Sequence, residues 1–380
     1  MIKTSNKLLL YIWLFIISLL LTGCWDFEDI NRRTITLSVG VDKIDNSILY
    51  SGENVAPLPT AKSGEKPQLP SLFNVKAYGK DFEDARTYYE TTIPFPDFLG
   101  AVRVVVFSQN FAKEGIEPYV NRIDHIFGYR KSLPIVISRE SPRELFQTNV
   151  TNDLSVGFSI EDTLSHLEKE GVALYPKVKD ILVDIALGQV GYIIPFISKE
   201  NNTIVLLGYA VMKDSKLIDI IDIKKSNGLL CILSPKATIL QAVPHPGNKN
   251  NDISIKTTLK KRRIKISYID NKINIDIKMD FSTQIQYLHY IEPITDKDIK
   301  MLENILADEI KNSITSIIYK SQKEYKSDIF EFASFFRADN PQIFKKINWE
   351  KEYPYANLNV EVKVKVVNMN LFDPNAKREY

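Results

Sequence analysis

The first 24 residues narrow what the rest of the chain can be. Lys3 and Lys7 form a positive head, residues 8–22 make a 15-residue apolar run interrupted by Ser18 and closed by Thr22, and the run ends on Leu21, Thr22, Gly23 and Cys24. A charged head, an apolar body, a small residue before the cut and a thiol are what cleavage and lipidation at Cys24 require. The run is too short for an uncleaved spanning helix, which takes about 20 apolar residues. The expectation is a lipoprotein signal peptide over residues 1–23. Leu21, Thr22 and Gly23 form its lipobox, Cys24 carries the lipid, and everything after Cys24 lies outside the cytoplasm on a membrane surface.

Such a cut leaves 357 residues, more than one ordinary core accommodates, so two or three domains are expected. The formal net charge of +2 disappears with Lys3 and Lys7. A neutral mature chain outside the cytoplasm argues against nucleic acid as a partner. With Cys24 committed to lipid, Cys231 has no cysteine left to pair with inside the chain. Stability then rests on burial, for which 44% hydrophobic and 25% charged residues are ordinary proportions.

Ile35, Leu37, Val39 and Val41 alternate as a strand, a second strand falls near residues 48–55, and four prolines make residues 56–70 a loop. Phe73, Val75 and Ala77 resume a strand, and Asp81 is placed to cap a helix carrying Phe82, Ala85 and Tyr89. The apolar runs near 102–107 and 133–137 flank a helical segment, which suggests a parallel βαβ unit. The first domain is expected over 24–149. A middle α+β domain over 150–234 contains two helical stretches and an antiparallel meander.

The third domain, 235–380, reads as long antiparallel strands near 253–259, 264–269 and 273–285, with Asp270 and Asn271 as a turn, plus one long helix. Thr295 and Asp298 mark that helix's start, and Ile299, Leu302, Leu306, Ile310, Ile314, Ile317 and Ile318 give it an apolar stripe. A final strand alternates from Leu358 to Val366. The fold class is therefore α+β, with mixed or antiparallel sheets and a long helix packed on the last of them.

A search for chemistry returns little. His125, His166, His245 and His289 have no histidine or cysteine at metal-ligand spacing, and no phosphate-loop, dinucleotide or serine-nucleophile motif occurs. No catalytic residue, cofactor or metal is expected, and the chain reads as a non-enzyme. Lys260, Lys261, Arg262 and Arg263, extended by Lys256 and Lys265, could meet anionic lipid, but a solvated connection between strands is the favoured reading. Nine aromatics crowd residues 325–355. Phe330, Phe336 and Trp349 among them are a possible partner surface, although core packing beneath the long helix is favoured.

The opening LTGCWDFEDINRRTITLSVGVD resembles the start of the Ger(x)C spore germination lipoproteins, in which the lipobox precedes Trp-Asp and a strand ending in Gly-x-Asp. VRVVVFSQNFAKEGIEPYVNRI is similar to that family's strand and helix around an alanine-lysine-glutamate-glycine turn, here Ala112 to Gly115. SQKEYKSDIFEF, followed by Pro341 and Trp349, resembles its Q-x(5)-D-x-F stretch and places Gln322, Asp328 and Phe330. Ala101 stands where the family often has histidine, and Glu331 where it often has glycine. The resemblance implies a germinant receptor C-subunit, a three-domain α+β lipoprotein on the outer face of the spore inner membrane. Its implied partners are a multi-spanning A-subunit and a transporter-like B-subunit, with no enzymatic residues. The rival reading is a solute-binding lipoprotein of a transporter, which would need two α/β lobes.

Overall fold

The alternation at Ile35 to Val41 becomes β1 (Thr34–Ile44), which turns through Asp45 at φ 54° into an antiparallel partner, β2 (Ser47–Val55). The computed structural model describes residues 29–55, 71–126, 128–151 and 153–368, with positions 11, 13 and 15. Leu21, Thr22, Gly23, Cys24 and the proline-rich loop lie outside the described residues. β3 (Leu72–Gly79) adds an outer strand. Asp81 caps α1 (Phe82–Glu90) by accepting from the N–H groups of Glu83 and Asp84 at 3.1 and 2.9 Å. A short strand, β4 (Asp97–Phe98), lies parallel to the start of β1.

All of β5 (Val104–Ser108) is buried, with Val104 and Val106 facing one core and Val105 and Phe107 the other. That two-sided burial is why the run lacks alternation. Over α2 (Gln109–Glu114) and α3 (Glu117–His125) the chain reaches β6 (Ile135–Ser138), parallel to β5, which completes the expected βαβ unit. Then come α4 (Val156–Lys169), α5 (Val178–Leu187) and an antiparallel meander of β7 (Tyr192–Glu200), β8 (Thr203–Lys213) and β9 (Lys216–Asp222).

β7 pairs parallel with β6, so the meander extends the first sheet. The described strands form a nine-stranded sheet in the order β3-β2-β1-β5-β6-β7-β8-β9, with β4 beside β1. Residues 149 and 150 fall between neighbouring strands of this sheet, whereas 234 and 235 fall where the chain leaves it.

The passage to the second sheet runs through α6 (Asn227–Leu233). That sheet contains β10 (Thr238–His245), β11 (Asn248–Ile269), β12 (Lys272–Leu288) and β13 (Asn357–Asn368) in sequence order. β11 and β12 pair antiparallel as expected, and β13, whose direction the sequence left open, lies parallel to β12, so the sheet is mixed. The segment between them is a long crossover, the connection that parallel pairing needs.

The crossover contains α7 (Asp296–Lys320), whose 25 residues span about 38 Å. Its start is the expected box: Thr295 Oγ1 accepts from the Asp298 N–H at 3.2 Å, and the Asp298 carboxylate accepts from the Thr295 N–H at 3.0 Å. Leu302, Leu306, Ile310, Ile314, Ile317 and Ile318 are the buried stripe. The α-helix closes at Lys320 into one π-helical turn, Ser321–Tyr325. Past it lies α8 (Phe332–Asp339).

At the crossing of α6 and α7, a Cβ on Gly228 would stand 2.4 Å from the Ser313 carbonyl oxygen. Gly228→Ala is therefore expected to lower the unfolding free energy by about 1–3 kcal/mol. Urea denaturation of the full chain measures this, and an unchanged midpoint would mean the two helices can move apart freely.

The basic cluster is not a connection. β11 continues through it as one 22-residue strand, with a register shift between Leu259 and Lys261. A bulge inserts a residue and re-aims the side chains after it. Lys261 and Lys265 then stand opposite Asp280 and Asp276. Arg262 turns the other way, and its Nη1 donates to the carbonyls of Cys231, Ile232 and Ser234, the last at 2.9 Å. It thus closes the C-terminus of α6, where a cation suits the helix dipole.

Candidate functional site

The hydrophobicity that makes residues 325–355 conspicuous also withdraws them from water. Phe330, Phe336 and Trp349 are each 0% exposed, so none of the three can present a partner surface. That expectation is corrected in favour of core packing. Trp349 stacks on Phe336 at 5.6 Å between ring centroids and on Tyr353 at 6.2 Å, and Phe330 lies 5.3 Å from Phe332. Solvent reaches Phe335 and Tyr355 instead.

Asp328 sits at the centre of this packing. Its carboxylate accepts from the N–H groups of Phe330 at 2.9 Å and Ala333 at 2.7 Å, and from Trp349 Nε1 at 3.1 Å. Burial pushes the Asp328 carboxyl up to about 6 against the pull of those donors. Gln322 Nε2 donates to the carbonyls of Tyr353 and Ala356 at 3.2 and 3.0 Å. Gln322, Asp328, Phe330 and Trp349 thus meet in one buried node with a structural role.

The node joins the two sheets. The Trp349 N–H donates to Gln189 Oε1 at 2.8 Å, and the Gly191 N–H donates to the Asp328 carbonyl at 2.9 Å. On β9, Asp219 accepts from Lys320 Nζ at 2.7 Å and from the Tyr325 hydroxyl at 2.6 Å. Partial burial works against the Asp219 anion, yet these two donors hold its carboxyl below the usual range.

Next to the node is a cavity of about 290 Å³. The end of α4, the segment before α5, one side of α5, the start of β7, the residues after α6 and positions 329 and 331 line it, and it opens to solvent. Leu174, Ile181, Ile193 and Ile329 supply apolar wall, and Asp180, Asp184 and Glu331 bring carboxylates to it. Burial, then the charges of Glu331, Asp328 and Asp180, pushes Asp184 up to about 8. Burial and Asp180 push Glu331 up as well.

Glu331 has φ 62°, in the left-handed region that favours glycine. A glycine at this position, as in the resemblance above, would relieve the backbone and bring no charge. This chain instead holds a carboxylate there, at a conformational cost of roughly 1–2 kcal/mol. The sequence marked the position as a departure but had no role for it, because a cavity wall assembled from segments far apart in the chain leaves no local pattern.

Among the described residues, no group of three or more His, Cys, Asp or Glu side chains could hold a metal ion. Cys231 is buried and unpaired, and burial pushes its thiol up to about 12, which keeps it protonated and unreactive.

Two profiles of one protein family cover most of the chain. The spore germination protein N-terminal domain matches residues 26–199, and the spore germination B3/GerAC-like C-terminal domain matches residues 207–370. The chain belongs to the Ger(x)C spore germination family. Members of the family with similar sequences include spore germination protein B3 of Bacillus subtilis (strain 168), 19% identical over 96% of this chain and 98% of its own length. Spore germination protein A3 of the same organism is 22% identical over 93% of this chain and 95% of its own. The crystal structure of the GerBC protein superposes with a TM-score of 0.53 at 15% identity, covering 90% of this chain and all of that one. At that identity the likeness establishes the fold, an α+β architecture shared with that structure. The two matched regions meet at the β7–β8 hairpin, inside the nine-stranded sheet.

Proposed function

We propose that this chain is the lipid-anchored C-subunit of a spore germinant receptor, required for nutrient-triggered germination. It works through protein contacts on the outer face of the spore inner membrane, with a multi-spanning A-subunit and a transporter-like B-subunit as partners. The observation that carries the reading is the match of both family halves, in order, along residues 26–199 and 207–370. No helix among the described residues is long and apolar enough to cross a membrane, so in this reading the acylated Cys24 supplies attachment. Confinement to the membrane plane raises the effective concentration of the subunit for its partners.

Cys24→Ser removes the acyl acceptor. The chain is expected to shift from the spore membrane fraction to the soluble fraction, since stable anchoring takes more than one weak signal. Fractionation and immunoblotting read the shift, and retention on the membrane would count against the anchor. Deletion of the chain is expected to abolish germination in response to at least one nutrient. An unchanged response to every nutrient tested would refute the receptor role.

A further inference from the structure

We propose that the face of the second sheet turned away from α7 docks on a bilayer of anionic phospholipid, with headgroup phosphates met by Lys261, Arg263 and Lys363. The inference rests on the reading that the chain works on a membrane surface. Its first ground is the bulge in β11. Before the bulge Ile255 and Leu259 point into the core, and after it Ile264 and Ile266 do. Unbroken alternation from Lys256 would send Lys261, Arg263 and Lys265 to the opposite face. The register shift between Leu259 and Lys261 cancels that, so Lys256 and the three later cations leave the sheet on one solvent side. One strand thereby lays down a row of cations about 30 Å long.

The second ground is how the neighbouring strands answer that row. Residues in register share a face. Lys261, Asp280 and Lys363 stand side by side, as do Arg263, Lys278 and Glu361, so each set holds two cations for one carboxylate. Arg263 and Lys278 are directly opposite, a like-charge pairing that costs stability. Among the described residues only Lys278 of these cations closes an ion pair, with Glu361 at 2.9 Å. A depression of about 140 Å³ lies between the two sets, lined by the charged side chains of both. Residues 24–380 carry no formal net charge, so the excess here is a segregation of charge, and it complements an anionic surface.

The third ground separates a bilayer from an acidic protein. Exposed apolar side chains stand among the cations: Leu240, 62% exposed, is opposite Lys256, and Tyr287, 60% exposed, is opposite Ser254. Such a mixture suits the headgroup boundary, where the apolar groups and the ring enter while the cations stay at the phosphates. An acidic protein surface would pair the cations but offer Leu240 and Tyr287 no hydrocarbon to enter.

The lipidated full chain is placed in nanodiscs of phosphatidylcholine with or without phosphatidylglycerol, with a fluorophore on Ser267→Cys and a nitroxide quencher on a lipid headgroup. Cys231 is buried and does not compete for the label. Quenching is expected to be roughly threefold or more stronger with phosphatidylglycerol. The gain should vanish at about 1 M salt, where the screening length is roughly 3 Å. A triple variant, Lys261→Gln, Arg263→Gln and Lys363→Gln, should lose most of it. Lys297→Gln, Lys300→Gln and Lys311→Gln, which together remove the same charge from exposed positions of α7, should retain it. Equal quenching in the two kinds of disc, or equal loss in the two triple variants, would overturn the proposal. If the first triple variant also failed to germinate in that case, an acidic protein would be the partner instead. Retention of the chain by the phosphatidylglycerol discs alone would support the basic face while refuting the anchor at Cys24.

Discussion

Trp349→Ala is expected to lower the unfolding free energy of the full chain by roughly 4 kcal/mol, the range for emptying a fully buried aromatic site. Phe336 and Tyr353 lose the ring they stack on, and Asp328 loses its indole donor. Trp349→Phe separates the two effects. It keeps most of the packing but deletes the N–H, and should cost about 1–3 kcal/mol. The pH dependence gives an independent sign. Asp328 titrates near 6 in the fold and near 4 in an unfolded chain, so between those values the folded state retains a proton that the unfolded state has released. Stability contributed by this group therefore falls as pH rises from about 4 to about 6. With one donor fewer, Trp349→Phe should carry the decline to higher pH. Urea denaturation at several pH values measures both effects, and a loss below about 1 kcal/mol for Trp349→Ala would show that the node does not hold the sheets together.

Glu53→Ala should be nearly as damaging, at about 3 kcal/mol or more, because it strips the partner from a buried set of donors. Glu53 lies on β2 and is 0% exposed. Its carboxylate accepts from the N–H groups of Val156 and Gly157, each at 2.9 Å, and from Ser38 Oγ at 2.5 Å. A carboxylate at the first turn of α4 answers both the orphan N–H groups and the helix dipole. Burial raises its pKa, opposed by the bonds from Ser38, Val156 and Gly157. Glu53→Gln, which retains one acceptor oxygen, should lose less than Glu53→Ala. Amide hydrogen exchange should rise first across residues 156–160, and uniform exchange behaviour in the variant would argue against a local clamp.

These two residues also mark the limit of pattern reading. Trp349 was conspicuous, because aromatic crowding is visible in one dimension, but its inward direction was not. Glu53 was inconspicuous, one polar letter in a short strand, because the two helix N–H groups it holds lie more than 100 residues away. Local devices were more legible. Asp270 and Asn271 both adopt positive φ, at 51° and 58°, as a tight hairpin turn requires. Thr295 and Asp298 cap α7 as their spacing implies.

Chain-local patterns were enough for the stripe on α7, most strands and the family resemblance, because each depends on residues within a few positions of one another. Three matters lay beyond their reach: that the meander would join the first sheet, that β13 would run parallel to β12, and that Asp184 and Glu331 would share a cavity. Periodicity reports which face of an element is buried. It carries no information about which distant segment does the burying, and that depends on contacts formed only when the whole chain packs.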